Sequence, residues 1–261
     1  MLSGRRGTTI LPIAMPTPEE FSVAIQERHR ATFDLHAKLA QLLQDTVVSN
    51  RYLPDLVARA TDMLFVQGFK SHQSVYFLCS HALVEDAATI VRRLLELFVQ
   101  AIYIARDSEE SERNHRAGMY LAFLWREWPT SLRERIPFDE RQAWESLYAT
   151  YAHQIKGKRW GPSFAKMFQY AGNPDTYDQA YSLLSGFAHG SPTSLVGSYS
   201  QACVELHSDR GVPFVLEYAT RYALGLTLIW NDIFQLCDAE RLTAVDAAVR
   251  GFGKRPDDSS T

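Results

Sequence analysis

The sequence has few cysteines, no excess of positive charge and no long apolar run, and each of these absences excludes a class of protein. Its 261 residues include only three cysteines, Cys79, Cys203 and Cys237, which lie far apart and form no CxxC pair. This scatter excludes a disulfide framework and a cysteine zinc site. The formal net charge of −3 excludes a generally basic nucleic-acid binder, although not a local basic patch. No segment supplies about 18 uninterrupted apolar residues, so we expect no membrane span. Together these absences predict a reduced, cytoplasmic protein.

Motifs of common enzymes and cofactor sites are also absent. The chain contains no GxxxxGK[ST] or GxGxxG phosphate loop, no HExxH helix and no serine nucleophile elbow. The other histidines, considered apart from His189, show no spacing suited to a metal. We therefore predict no metal and no cofactor, and no motif fixes a reaction.

What the sequence does contain is helical periodicity along almost its whole length, which predicts an all-α fold. Thr17 is expected to cap the first helix, with Pro18 at its first position. The longest helix is predicted from Ser71 to Arg106. Because it is apolar on nearly every side, it is expected to be the long buried central helix of a single helical bundle.

One stretch departs from this pattern. Near residues 202–216, alternating apolar residues flank Ser208-Asp209-Arg210-Gly211, which predicts a small β-hairpin. No linker long enough to separate domains is present, so we predict one helical domain over residues 17–250. Residues 1–16 are expected to be a flexible N-terminal segment and residues 251–261 a disordered tail.

On the predicted central helix, Arg92 and Glu96 lie four residues apart and so face the same way. An unpaired charge in a buried helix costs several kcal/mol, so the two are expected to pair or to find other partners. One interpretation is a structural ion pair that fixes helix register. The other is a buried site in which Arg92 binds an anion and Glu96 holds Arg92.

A second helix begins at Pro174, capped by Asn173, and carries Tyr177, Tyr181, Ser185 and His189 at spacings of four. Ser185 is within reach of His189, one turn away. A serine hydrolase also needs an oriented third group and an oxyanion hole. His189 at the helix C-terminus is therefore interpreted either as a cap of the last carbonyls or as a functional base.

The stretch from Ser146 to Pro174 contains no acidic residue but interleaves basic and aromatic side chains. Such patterns suit phosphate contact and base stacking, so a nucleic-acid contact, RNA in particular, is one interpretation. The residues predicted to make this nucleic-acid contact are Lys156, Lys158, Arg159 and Trp160. The alternative is that the aromatic residues are core and the lysines are solvated.

The residues also resemble a known family. The segment ATIVRRLLELFVQAIYIARD resembles the arginine-x-x-x-glutamate helix of the bacterial family DUF5677. The segment RWGPSFAKMFQYAGNPDTYDQAYSLLSGFAHGSPTSLVGSY resembles that family's second half, with its serine-x-x-x-histidine-glycine signature. The resemblance covers roughly Ser71 to Ser200.

The resemblance implies an all-α bacterial cytosolic protein and supplies no established activity. The family's matching positions here are Arg92, Glu96, Tyr177, Tyr181, Ser185 and His189. The family is similar to the helical HEPN superfamily, which includes metal-independent ribonucleases and in which dimers occur, so a homodimer is expected by analogy. The chain lacks the superfamily's arginine a few residues before the histidine.

Two functions follow as hypotheses. The first is a non-enzymatic module that binds a ligand or a protein partner, in a bacterial defence or stress system. Its predicted binding residues are the six family positions. The second is a metal-independent ribonuclease in which His189 is the general acid or base, Arg92 stabilises developing charge and Glu96 holds Arg92.

Overall fold

The structure, a computed structural model, describes residues 17–47, 53, 55–155, 157, 159–188 and 209–251. Over these ranges the chain is helical and contains no strand, so the all-α prediction is confirmed. The first five helices are α1 (Pro18–Arg28), α2 (Arg30–Val47), α3 (Leu56–Ser80), α4 (Val84–Ala105) and α5 (Glu110–Glu127). The next four are α6 (Thr130–Arg133), α7 (Phe138–Tyr151), α8 (Phe164–Tyr170) and α9 (Pro174–Thr176). A π-helical turn (Tyr177–Tyr181) then leads into α10 (Ser182–Ala188), and α11 (Val212–Phe234) and α12 (Ala239–Gly251) complete the described chain.

The first helix begins where its sequence predicts. The backbone N–H of Glu20 donates to the hydroxyl of Thr17, and the Glu20 carboxylate accepts from the backbone N–H of Thr17. This reciprocal capping box satisfies two N–H groups that would otherwise lack partners, and Pro18 lies at a position that needs no donor. The predicted Thr17 cap is confirmed.

The core forms where α3, α4 and α11 pack against one another. Trp230 of α11 is fully buried, and its ring stacks on Phe65 of α3 at a centroid distance of 4.3 Å. Gly225 allows α11 to approach α4 closely, because a Cβ atom there would lie 2.5 Å from the Phe98 ring. On another side of α4 lie α8 and α10. The polar residues of α4 therefore meet a wall built from these short helices.

The predicted helix from Ser71 to Arg106 is wrong as one element, because α3 ends at Ser80 and α4 begins at Val84. Ala82 adopts a left-handed conformation with φ of 53°. The backbone N–H of Leu83 returns to the carbonyl of Leu78, which closes the end of α3. Neither glycine nor proline marks this break, so apolar periodicity runs straight through it.

The hairpin predicted near residues 202–216 is also contradicted where it is described. Val212 to Leu216, its second strand, form the first turns of α11, and Pro213 occupies an early position of that helix. Residues 202–208 lie outside the described residues. The alternation of apolar residues was compatible with a strand, but burial of Val212, Val215 and Leu216 follows helical spacing.

The predicted terminal segments fall largely outside what the structure describes. Residues 1–16 and 252–261 are not described, while Gly251 is the last residue of α12. Cys79 and Cys237 are free thiols in buried positions, and Cys203 lies outside the described ranges. None of the described helices has the length and apolar character needed to cross a membrane.

A buried pair of imidazoles joins α2, α3 and α11. The rings of His36 and His72 stack at a centroid distance of 3.5 Å, and both residues are fully buried. The ring nitrogens of His36 contact the carbonyl of His72 and the hydroxyl of Thr220. Burial lowers the pKa of His36 to about 4, and burial together with the charge of His36 holds the pKa of His72 well below its ordinary value. Both rings are therefore neutral at pH 7.

This pair predicts loss of stability in mild acid. Unfolded histidine binds a proton near pH 6.5, whereas the folded rings resist protonation, so the unfolded state gains protons first as the pH falls. The contribution of the neutral His36 ring to the free energy of unfolding is present in full above about pH 6.5, and it decreases as the pH falls to about 4. Between pH 7 and pH 5, His36 alone accounts for a loss of about 2 kcal/mol in the free energy of unfolding.

Urea unfolding at the two pH values measures this loss. His72→Phe, which keeps a ring against His36, is expected to reduce the pH dependence, whereas His81→Gln at an exposed position leaves it unchanged. Identical pH dependence in wild type and His72→Phe would contradict the role of the pair.

Candidate functional site

Arg92 and Glu96 form the centre of the candidate site. They lie one turn apart on α4, and Nη2 of Arg92 is 3.0 Å from Oε1 of Glu96. Their side chains are only 24% and 15% exposed. Ion pairs this shielded from solvent are screened less than surface pairs, so each charge depends on its partner.

Tyr181 closes this pair into a three-membered cluster. Arg92 Nη2 donates to the Tyr181 hydroxyl at 2.8 Å, and that hydroxyl donates to Glu96 Oε1 at 3.1 Å. The guanidinium carbon of Arg92 also lies 5.0 Å from the centre of the Tyr181 ring, within cation–π range. The Arg92–Glu96–Tyr181 cluster thus joins α4 to the π-helical turn by charge-assisted hydrogen bonds.

The cluster fixes the protonation state of its members. Burial acts to lower the pKa of Arg92, but the hydrogen bond to Tyr181 and the charge of Glu96 raise it above its ordinary value. Burial raises the pKa of Tyr181, although the hydrogen bond from Arg92 opposes this. At neutral pH Arg92 is therefore a cation and Tyr181 a neutral phenol, which can accept from one partner and donate to the other.

The π-helical turn places Tyr181 against α4. In this turn the backbone N–H of Ser182 donates to the carbonyl of Tyr177, five residues earlier, where an α-helix would bond to the fourth residue back. The rings of Tyr177 and Tyr181 stack at 5.0 Å with an interplanar angle of 15°. Phe168 of α8 packs against both rings. Single π-helical turns of this kind occur frequently at functional sites.

The cluster opens into a cleft of about 400 Å³, a size within the usual range for small-molecule sites. Beside Arg92, two further arginines line it, Arg93 and Arg159. Aromatic and apolar side chains form its other walls: Phe123, Trp160, Pro162, Phe164 and Met167. The cleft therefore combines an excess of positive charge with an apolar surface.

Two predicted residues of the Pro174 helix have different outcomes. The hydroxyl of Ser185 donates to the backbone carbonyl of Tyr181 at 2.7 Å, so its proton is engaged within the helix. His189, the predicted general acid or base, lies outside the described residues, so the closeness to Arg92 that the ribonuclease hypothesis requires stays a prediction. The cluster with Arg92 and Glu96 forms through Tyr181 instead, with Tyr177 stacked behind it.

The four predicted nucleic-acid contacts also have different outcomes. Lys156 and Lys158 lie outside the described residues. Arg159 is exposed and lines the cleft. Trp160 is only 7% exposed, packs edge-on against Tyr120 and donates its indole N–H to Gln100 at 3.2 Å. Its ring is thus engaged in packing, and it also lines the cleft.

The Gln100 side chain links Trp160 to the cluster. Its amide nitrogen donates to the backbone carbonyl of Glu96 at 3.0 Å, while its oxygen accepts from Trp160. The loop that carries Arg159 is thereby attached to α4 one turn beyond Glu96. Sequence reasoning missed Gln100, although its spacing of four from Glu96 was a signal.

Sequence reasoning also missed a second arginine, Arg116 of α5, which holds α8 in place. Its guanidinium carbon lies 4.3 Å from the centre of the Tyr103 ring and 4.6 Å from that of Tyr170. Its two terminal nitrogens donate to the Tyr103 carbonyl at 2.9 Å and to Asp107 at 2.7 Å. Tyr170, the last residue of α8, also donates to Asp107 at 2.7 Å. We call these four residues the Arg116 clamp.

The clamp predicts that Arg116 is needed as an arginine. Arg116→Lys keeps the charge but loses the flat guanidinium that stacks between two rings and bonds two acceptors. We expect its midpoint of thermal unfolding to fall by at least about 4 °C. Circular dichroism on heating measures this. Arg241→Lys, in an exposed ion pair with Asp45, is the control and should change little. Equal effects of the two substitutions would contradict the clamp.

Among the described residues, no group of three or more histidine, cysteine, aspartate or glutamate side chains is arranged to hold a metal ion.

Comparison with known proteins places the chain in a family. No curated protein and no solved structure matches it significantly. The model of DUF5677, described as a family of unknown function, matches residues 60–202, which is more than half of the chain. All residues that line the cleft fall within this range. The chain therefore belongs to the family of unknown function DUF5677.

Proposed function

We propose that the protein is a ligand-binding module whose cleft takes a small organic molecule with a carboxylate or other anionic group and an aromatic or apolar portion. The observation that carries this proposal is Arg92, a half-buried cation that faces a cleft and uses only one of its nitrogens within the described residues. Nη2 makes both of its polar contacts, while Nε is buried and has no hydrogen-bond partner there. Because Nε is buried, a bound acceptor would be reached by Nη1, which makes no hydrogen bond or ion pair within the described residues.

The charges of the cleft favour an anion. Three arginines and one glutamate line it, so its positive charge is only partly compensated. Arginine suits carboxylate and phosphate groups because its planar fork donates two parallel hydrogen bonds. The apolar walls add affinity for a ligand that also buries a hydrophobic part.

The described hydroxyls of the cleft region support binding rather than nucleophilic catalysis. Ser163 accepts from the backbone N–H of Lys166 and caps α8. Ser185 donates its proton to a helix carbonyl, whereas a serine nucleophile donates its proton to a general base. Tyr181 is a phenol whose raised pKa disfavours the phenolate. Each of these groups is engaged in holding the structure.

Arg92→Gln tests the proposal. Hydrocinnamate, an anion with one carboxylate and one aromatic ring, is titrated into the full chain by isothermal calorimetry. We expect Arg92→Gln to weaken binding at least tenfold, because a hydrogen bond to a charged group contributes about 1.5–3 kcal/mol. Arg221→Gln, in an i,i+4 ion pair on α11, is the matched control and should bind as wild type does.

The alternative function is the metal-independent ribonuclease. It is supported by the gathering of Arg92, Arg93 and Arg159 in one cleft, which suits a phosphate backbone, and by the packing of α10 on α4 directly before His189 in the chain. RNA cleavage by wild type that is lost in both His189→Ala and Arg92→Gln, together with no binding of hydrocinnamate, would overturn the binding proposal in favour of this alternative.

A further inference from the structure

We propose that the ligand of this cleft is a free α-amino acid with an aromatic or large apolar side chain, its carboxylate bound by Arg92 and its ammonium by Glu96. This inference rests on the proposed function, since it takes Arg92 as the anion-binding group. It adds a chemical class of ligand and gives Glu96 the role of a specificity-determining residue.

Each member of the ion pair keeps an unused polar atom. The pair is made through Nη2 of Arg92 and Oε1 of Glu96, and Tyr181 contacts these same two atoms. Within the ranges that the structure describes, Nη1 of Arg92 and Oε2 of Glu96 have no recorded partner. One donor and one acceptor of opposite charge therefore remain, on neighbouring turns of α4 and beside the same cleft.

The charges at the point of contact also favour an α-amino acid. A bare carboxylate bound to Arg92 would lie close to the carboxylate of Glu96, and like charges in a partly buried site repel strongly. An α-amino acid avoids this, because its ammonium is bonded to the carbon next to its carboxylate. Bound across the pair, it alternates charges around a ring of Arg92, ligand carboxylate, ligand ammonium and Glu96, so that each of these four charges has a neighbour of opposite sign.

The space beyond the ion pair suits an aromatic or large apolar side chain. Phe123, Phe164 and Met167 line the cleft together with Trp160 and Pro162. The volume of about 400 Å³ has room for an aromatic side chain with its α-carbon groups. Phe164 also packs against the Tyr181 ring at 5.9 Å, so the apolar wall is continuous with the cluster.

The experiment compares three ligands that share a phenyl ring on a two-carbon chain. Phenylalanine carries both charged groups, hydrocinnamate lacks the ammonium, and phenethylamine lacks the carboxylate. Calorimetric titration of the full wild-type chain at pH 7 is expected to give phenylalanine a dissociation constant at least tenfold lower than either analogue. Tenfold corresponds to one charge-assisted hydrogen bond at the lower end of its usual strength.

Glu96→Gln tests whether Glu96 binds the ammonium of the ligand. Removing the negative charge is expected to reduce the ratio of hydrocinnamate to phenylalanine dissociation constants from at least about ten to about one. Glu217→Gln makes the same substitution in the i,i+4 pair with Arg221 and is expected to keep the wild-type ratio. The wild-type comparison stands by itself if Glu96→Gln does not fold.

The outcomes separate this inference from the proposed function. Equal binding of phenylalanine and hydrocinnamate to wild type would overturn the amino-acid ligand and leave an anion site. A preference for phenylalanine that Glu96→Gln retains in full would overturn the role of Glu96. Absence of binding by all three ligands would overturn both proposals.

Discussion

The structure around the cleft depends on one interaction, the hold of Arg92 on Tyr181 beside Glu96. A guanidinium shielded from most solvent needs acceptors, and α4 itself supplies only the Glu96 carboxylate. The phenol of Tyr181 supplies the second, and in doing so ties the π-helical turn to α4. The turn brings Tyr177 and Phe168 with it, because their rings pack on Tyr181. One wall of the cleft thus follows from the need of a single charge for partners.

Arginine and tyrosine also meet at the Arg116 clamp. The difference between the hydrogen bonds of Arg116 and those of Arg92 explains why the clamp is assigned a structural role and the cleft a binding role. Both terminal nitrogens of Arg116 are bonded, and tyrosine rings cover its guanidinium. Arg92 bonds through one terminal nitrogen and faces open space with two other arginines nearby. The first arrangement stabilises the attachment of α8, whereas the second leaves capacity for a ligand. Arg116 therefore supports the wall that Arg92 uses.

How far the sequence predicted this molecule depends on the range of the interaction. Helical periodicity and the Thr17 cap are local signals, and both agree with the structure. The pairing of Arg92 with Glu96 is likewise set by a spacing of four on one helix. The break at Ala82 carries no glycine or proline, so periodicity could not reveal it. Tyr181 as a partner of Arg92, and the stacking of Arg116, join residues far apart in the chain and depend on packing that a single sequence does not encode locally.

The central claim, that Arg92 and Tyr181 hold each other across the contact between α4 and the π-helical turn, is tested most directly by a double-mutant cycle. The free energy of unfolding is measured for wild type, Arg92→Gln, Tyr181→Phe and the double variant. Because each substitution removes the same contact, the account predicts that the double variant loses less stability than the sum of the single losses, by about 1 kcal/mol. Losses that add within about 0.3 kcal/mol would show two independent side chains and contradict it.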